Sequence, residues 1–171
     1  MSISPKYFLT LMICILLAGS LAACGQTAES TPAAPFTSLG WDSTAEDIIA
    51  EEGDAFSTYD SIYGGLCYTW PKEYENHTGT VKYMFDDEDR LVSVAWAYTS
   101  QSADELTALY ESINASVGEV YGESGYNANG VGNYGNVWHP ESGDIVLSTM
   151  TSTESSFLQY AYLHPLVSNQ K

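Results

Sequence analysis

Residues 80–122, TVKYMFDDEDRLVSVAWAYTSQSADELTALYESINASVGEVYG, contain the pattern that decides the fold of this 171-residue chain. The segment TVKYMF alternates, with Val81, Tyr83 and Phe85 on one side, which is the period of a half-buried strand. The acidic run DDED then predicts a turn, and LVSVAWAY predicts a strand that runs back. The first part of the stretch therefore predicts an antiparallel hairpin.

The second part of the stretch predicts a helix. Ser102 and Glu105 have the spacing of a capping box, in which the two side chains bond orphan amides at a helix start. The apolar residues behind this box advance by threes and fours, the period of one helix face, until Gly122 offers a stop. They are Leu106, Leu109, Tyr110, Ile113, Val117, Val120 and Tyr121.

The residues before this stretch repeat the plan. Residues 43–46 form another capping box, with Ile48 and Ile49 on one face behind it and Gly53 as a stop, so a short helix is expected. After this helix, the segments YDSIY and LCYTW predict a hairpin that turns at GG, and the polar segment PKEYENHTG predicts a loop.

The residues after the second helix predict further strands. Residues 122–136 are glycine-rich and predict a loop. Residues 137–138, 145–150 and 157–163 predict strands, and turns are expected between them at PESG and TSTES.

Together these elements predict an α+β fold in which two helices pack on one face of an antiparallel sheet of about six to eight strands. The capping boxes lie 59 residues apart (102 − 43), which suggests a degenerate duplication of a helix-plus-strands unit. The units would be residues 36–100 and 101–165 of one compact domain, with 166–171 as a C-terminal tail. Two unrelated α+β segments are the alternative.

The N-terminal residues have the order of a secretory signal. Lys6 supplies a positive charge, residues 8–17 are apolar but too few for a membrane span, and LAA precedes Cys24. Residues 1–23 are therefore expected to be a signal peptide. An ordinary signal followed by an incidental cysteine is the alternative.

A cysteine directly after Leu-Ala-Ala resembles the lipobox of bacterial lipoproteins. The resemblance implies that Cys24 becomes the first mature residue and carries the lipid, a membrane anchor such as palmitate. It also implies a location in the bacterial cell envelope, facing outward from the cytoplasmic membrane or on the outer membrane of a double-membraned host. Residues 24–35 are small, polar and proline-bearing, so a flexible tether is expected there.

Composition excludes some partners. Without residues 1–23 the chain has 22 acidic residues against three lysines and one arginine, a formal charge of 18 negative (22 − 4). Nucleic acid needs basic contacts that this chain lacks, so a nucleic-acid partner is excluded. Cys67 is the one cysteine left besides the lipidated residue, so no intrachain disulfide is expected and a buried, inert thiol is predicted.

No pattern of catalytic or metal-binding residues is found. His77, His139 and His164 are far apart and lack the spacing of a zinc site. The acidic run 86–89 lacks the alternation of a calcium loop and predicts a solvated turn. With no nucleophile elbow and no phosphate loop, the sequence predicts a protein that is not an enzyme and uses no cofactor or metal.

Residues 39–53 (LGWDSTAEDIIAEEG), followed by VKYMFD and RLV, resemble the helix-then-sheet pattern of the SmpA/OmlA (BamE-type) lipoproteins. They also resemble the related repeat of the β-lactamase-inhibitor-protein fold. These resemblances imply an α+β fold that presents a sheet face to protein partners, and they imply no catalytic residues. Residues 137–147 are similar to PepSY-type secreted domains, which are also non-catalytic interaction modules.

Aromatic residues are the remaining functional signal. Tyr121, Tyr126, Tyr134 and Trp138 flank the glycine-rich segment, and Trp70 lies in a predicted strand. If exposed, they would form a binding surface, because Tyr and Trp dominate interface hot spots; otherwise they form the sheet core. The sequence thus predicts a lipid-anchored, non-catalytic module that binds an envelope protein. The alternative is a small-ligand receptor for envelope glycans or cations.

Overall fold

The computed structural model describes residues 31–168 except residues 55, 131–132 and 152–154, and of residues 126–130, 133–134 and 151 it describes the backbone. None of the helices in this part of the chain is long and apolar enough to cross a membrane. The helices and strands, in chain order, are α1 Ala45–Glu52, β1 Ser57–Asp60, β2 Gly64–Tyr74, β3 His77–Asp86, β4 Leu91–Ser100, α2 Ala103–Tyr121, β5 Tyr126–Gly130, β6 Asn133–Trp138, β7 Asp144–Thr151 and β8 Ser156–Leu163.

The strands form one eight-stranded sheet in the order β1-β2-β3-β4-β8-β7-β6-β5, and every neighbouring pair is antiparallel. Each half of the chain thus contributes a helix followed by a four-stranded meander. The two meanders meet through their last strands, where Ser93 pairs with Leu163 and Ser100 with Ser156. The α+β class with an antiparallel sheet is confirmed.

Helix α1 begins one residue later than the sequence predicted. Thr44, not Ser43, is the N-cap, and its box is closed by Asp47 instead of Glu46. The Asp47 N–H donates to Thr44 Oγ1 at 3.2 Å, and the Thr44 N–H donates to Asp47 Oδ2 at 2.9 Å. When the helix begins after Thr44, Ile48 is completely buried. The packing of Ile48 in the core therefore decides which of the two adjacent hydroxyl residues, Ser43 or Thr44, caps the helix.

Helix α2 begins at the predicted cap, where Ser102 Oγ accepts from the Glu105 N–H at 3.2 Å. The reciprocal half of the box is not formed. The Glu105 carboxylate instead accepts from the Ser100 hydroxyl at 2.6 Å and from the Tyr98 hydroxyl at 2.9 Å. Both helices end at the predicted glycines, Gly53 and Gly122.

Two connections in the first half differ from the prediction. Gly64 and Gly65 lie in β2, and the β1–β2 turn is formed by residues 61–63. The segment predicted as the loop PKEYENHTG is a tight hairpin, in which only Glu75 and Asn76 lie outside the strands, both with positive φ (49° and 62°). Pro71 is tolerated in this strand because β1 ends its pairing at Thr69, leaving Pro71 at an edge of the sheet.

The glycine-rich segment is also strand rather than loop. Residues 126–130 and 133–138 pair as β5 and β6, and β6 pairs in turn with β7. Backbone pairing needs no large side chain, so the ladder continues where the apolar pattern fades. The predicted turn at PESG is confirmed, since the Gly143 N–H donates to Pro140 O at 3.0 Å. The predicted TSTES turn lies mostly outside the described residues.

The folded part begins before Phe36. Ala33 and Ala34, predicted to belong to the tether, are 5% and 3% exposed, and the Ala33 N–H donates to Leu39 O at 2.8 Å. Their methyl groups are small enough to lie against the sheet core beside Phe36. The predicted tether is therefore too long by at least three residues (33–35) at its C-terminal end, and residues 24–30 lie outside the described residues.

The core is built from the helices and one set of alternating strand positions. Ile48 of α1 and Ile113 of α2 belong to the same buried cluster as Trp70, Trp96 and Tyr160. Edge-to-face contacts between aromatic rings run through this cluster, for example between Trp70 and Tyr83 at 5.8 Å.

Candidate functional site: the outer face of the sheet

Along each strand, side chains point alternately toward the core and toward the opposite side of the sheet. We call this opposite side the outer face of the sheet. Strand alternation and the observed register place the side chains of alternate strand residues on it. None of them belongs to the core cluster that contains the helix residues. They include Tyr59, Cys67, Thr69, Thr80, Lys82, Met84, Ser93, Ala95, Ala97, Val146, Ser148, Met150, Phe157, Gln159 and Ala161.

The centre of the outer face carries small side chains. Ala95 and Ala97 on β4 and Ala161 on the adjacent β8 are 0%, 7% and 3% exposed. Longer side chains on the neighbouring strands, such as Lys82 and Val146, surround them. The longer neighbours therefore cover these small side chains, which accounts for their low exposure.

Within residues 31–168, as far as their side chains are described, Lys82 is the one charged side chain in the middle of this face. Its Nζ lies 5.8 Å from the centroid of the Phe157 ring, within the range of a cation–π contact. Within the described part of the chain, Lys82 makes no ion pair within 4.0 Å. Lys72 and Arg90, by contrast, are paired with Glu52 and Asp86, each at 2.7 Å.

Among the side chains that the structure describes, carboxylates lie only at the ends of the outer face. The alternation places Glu73 at the far end of β2, and Asp86 and Asp144 at the ends of β3 and β7. The Asp144 side chain is buried and lies 2.8 Å from His139 Nδ1. The described carboxylates thus lie away from the middle of this face, in a chain with 22 acidic residues.

Cys67 lies on the outer face beside Tyr59. Cys67 is fully buried, and this burial raises the pKa of its thiol, while a hydrogen bond from Tyr59 and the charge of Lys82 lower it by smaller amounts. Burial and the contact with Cys67 raise the pKa of Tyr59 to about 12. The thiol therefore stays protonated near neutral pH and is a poor nucleophile.

The exposed apolar side chains of this face lie toward its two edges. Met150 on β7 is 64% exposed and Tyr59 on β1 is 48% exposed. Flexible methionine and amphipathic tyrosine side chains are common at binding surfaces.

The aromatic residues singled out from the sequence are not brought together on a surface. Trp70 and Trp138 are each 3% exposed and belong to the core, so they cannot anchor a partner. The polar group of each indole is also used inside the fold: Trp70 Nε1 donates to Gly53 O at 2.8 Å, and Trp138 Nε1 donates to Gly122 O at 3.0 Å.

The other predicted site residues fall elsewhere. Tyr121 is 42% exposed at the end of α2. Tyr126 and Tyr134 lie in β5 and β6, but their side chains are outside the described residues, as is the whole of Cys24. The candidate surface predicted from the sequence therefore reduces, among the described side chains, to Tyr121.

The polar cluster at residues 86–90 is structural. Asp86 accepts from the N–H groups of Glu88 and Arg90, both at 3.0 Å, and the Arg90 guanidinium lowers the pKa of this carboxyl. The acidic run is thus a hairpin turn closed by its own arginine. Within the described ranges no group of three or more His, Cys, Asp or Glu side chains could hold a metal ion.

No protein-family model matches the chain, and neither a curated protein nor a solved structure does. The function is therefore inferred from geometry and charge. Sequence reasoning missed Lys82 as a site residue, although one signal was present. It follows Val81 in an alternating strand, so its side chain had to lie on the face opposite the core.

Proposed function

We propose that this protein is a lipid-anchored, extracytoplasmic, non-catalytic binding module at the bacterial cell envelope, and that the outer face of its sheet docks a protein partner. The observation that carries the proposal is the charge pattern of that face. In the described part of the chain the middle of this face has no carboxylate and Lys82 makes no ion pair there, although the net charge of the chain is strongly negative.

A protein partner is favoured because the middle of the outer face has the composition of an interface centre. Such centres are depleted in charged residues and enriched in aromatic residues and methionine. Met84, Met150, Tyr59 and Phe157 supply these side chains.

Lys82 indicates the chemistry of the contact. Covering an unpaired ammonium with an apolar partner would carry a large desolvation penalty. The docked partner is therefore expected to place a carboxylate close to Lys82 Nζ, and the ring of Phe157 would stay on the other side of the ammonium.

The test is affinity capture from envelope extracts by the full mature protein. The parent should enrich a reproducible set of envelope proteins, and Lys82→Glu and Met150→Asp should lose them because both place a carboxylate on the outer face. Glu111→Lys changes an exposed residue of α2 and is the control that should retain them. Equal capture by the parent and both outer-face variants, or no reproducible capture at all, would refute docking on this face.

The proposed anchor rests on the order of charge, apolar run and small residues before Cys24. Because two or more acyl chains hold a protein stably on a membrane, the parent should stay in the membrane fraction through high-salt washes. Cys24→Ala should move it to the soluble or secreted fraction, or leave an uncleaved precursor, without unfolding the domain. Normal processing of Cys24→Ala, with detergent partitioning like that of the parent, would exclude the anchor.

We also propose that both helices cover the same face of the sheet and that the two halves arose by duplication. Three correspondences support this: each half is a capped helix followed by a four-stranded meander, each helix ends at a glycine, and the second strand of each meander contributes a tryptophan that bonds that glycine's carbonyl. The sheet order, in which the second half mirrors the first, agrees with a pseudo-twofold relation between them.

A further inference from the structure

We propose that the protein binds a small ammonium-bearing molecule in a polar cavity at the C-terminal end of α2. The cavity has a volume of about 360 Å³, which lies in the range of small-molecule sites. Its walls come from the end of α2, the segment that follows it and strand β6, and they include Asn114, Gly118, Glu123, Ser124, Asn136 and Trp138.

Asn136 provides the first argument. It is 6% exposed, and its Nδ2 donates to Asn114 Oδ1, but its own Oδ1 is buried and has no hydrogen-bond partner among the described groups. A buried acceptor without a donor is costly, and such groups in native proteins usually mark a bound water, ion or ligand. A ligand that donates hydrogen bonds would satisfy Asn136 after a small rotation of its amide.

The charge of the cavity provides the second argument. The C-terminal end of a helix carries partial negative charge, which basic side chains commonly offset. The last turn of α2 has no basic residue, and Glu119 and Glu123 add negative charge there. A cation supplied by a ligand would be stabilised in this position, whereas an anionic glycan would be repelled.

Gly118 provides the third argument. A glycine inside a helix is destabilising, and a Cβ added at Gly118 would meet no heavy atom within 4 Å, so packing does not require glycine here. Its effect is to leave space at the cavity wall. The buried ring of Trp138 supplies an apolar surface beside the polar groups, which suits an ammonium carried on a short hydrocarbon chain.

This proposal is independent of the docking surface. Asn136 and Trp138 pair with Leu147 and Ile145, which belong to the core side of the sheet, so the cavity and the outer face lie on opposite sides. Loss of partner capture would leave ligand binding unaffected, and the reverse also holds.

The test uses the full mature chain in detergent micelles and three four-carbon probes: putrescine, 1,4-butanediol and succinate. At constant ionic strength, putrescine should shift the NMR signals of the Asn136 side-chain amide and the Trp138 indole with saturation and a Kd of about 1 mM or lower. Butanediol should bind at least about tenfold more weakly and succinate not at all. Shifts that fail to saturate, or that sodium chloride reproduces, would show diffuse counterion attraction and would refute the site.

Two variants of one residue locate the binding. Gly118→Leu extends a side chain toward the cavity and should weaken putrescine binding by at least about tenfold, while Gly118→Ala should stay within about twofold of the parent. Asn136→Leu removes the unpartnered acceptor and should also weaken binding. If both Gly118→Leu and Asn136→Leu bind putrescine as tightly as the parent, the assignment to this cavity is wrong.

Discussion

Trp70 and Trp138 each connect a helix end to the sheet. Each indole N–H reaches the carbonyl of the glycine that ends a helix, across 17 residues of chain for Trp70 and 16 for Trp138. An indole is large enough to fill the core and to place its donor at the rim, where a capping carbonyl would otherwise be unsatisfied. These two side chains therefore determine how far each helix end lies from its strand.

Replacing either tryptophan by phenylalanine should destabilise the fold. Trp70→Phe and Trp138→Phe each leave a glycine carbonyl without its donor and remove part of a buried ring, so a loss of about 2–4 kcal/mol in the free energy of unfolding is expected for each. Urea unfolding followed by circular dichroism measures it. Similar losses at the two positions agree with equivalent roles in the two halves, and a loss below about 0.5 kcal/mol at both would contradict the roles of these bonds.

At the scale of single elements, the cap of α1 distinguishes two adjacent hydroxyls. Thr44→Ala removes the side chain that accepts from the Asp47 N–H, and it should cost about 1 kcal/mol. Ser43→Ala is the matched control and should change stability by less than about 0.5 kcal/mol. The free energies of unfolding of both variants test this. A larger loss for Ser43→Ala than for Thr44→Ala would place the cap at Ser43.

Elements with a strong apolar period could be predicted from the sequence, and those held by backbone pairing could not. Helix α2 and strand β3 follow their patterns because one face of each is buried, and the apolar run of β4 is predictable because the strand is buried along most of its length. The residues around Glu75 and the glycine-rich segment before Trp138 are polar, so they lack such a pattern. Their strands exist because a neighbouring strand offers a complete hydrogen-bond ladder, which is a tertiary effect.

The candidate site was only partly predictable for a related reason. Sequence reasoning found abundant aromatic residues but could not tell core from surface, and Trp70 and Trp138 belong to the core. It also could not place Lys82 relative to the carboxylates, because the absence of a nearby acid depends on which strands lie side by side. The order β3-β4-β8-β7 is a long-range property of the chain.

At the scale of the whole molecule, the tyrosine-rich core should make the fold sensitive to alkali. Burial raises the pKa of both Tyr74 and Tyr162 to about 12, and it raises the pKa of Tyr160 further in the same direction. In the unfolded chain these phenols have a pKa of about 10. Between these values the unfolded state releases protons that the folded state keeps, so stability falls as pH rises.

The urea midpoint should therefore drop between about pH 9 and about pH 11, together with a rise in tyrosinate absorbance on unfolding. Tyr162→Phe removes one of the shifted groups and should show a smaller drop over the same interval. A midpoint that is constant up to about pH 11 would mean that these phenols ionise in the folded state as easily as in the unfolded one.

The seam between β4 and β8 has a consequence for how the chain folds. Its pairs lie 56 residues apart (156 − 100) to 70 residues apart (163 − 93), whereas no other strand pair exceeds 22 (86 − 64). Contacts distant in sequence cost more loop-closure entropy and slow folding, so each meander is expected to form locally before the seam closes.

Because the seam is the only pairing between the halves among the strands that the structure describes, the covalent link across residue 101 should be dispensable. Two co-expressed pieces that separate there should reassemble through β4 and β8, detected as co-purification and as recovery of the native circular dichroism spectrum. Val94→Pro removes a backbone donor in the middle of this pairing, because the N–H of Val94 faces Tyr162 of β8, and should prevent reassembly. Each piece alone would expose β4 or β8 as an unpaired edge strand. A single piece is therefore expected to self-associate through that edge.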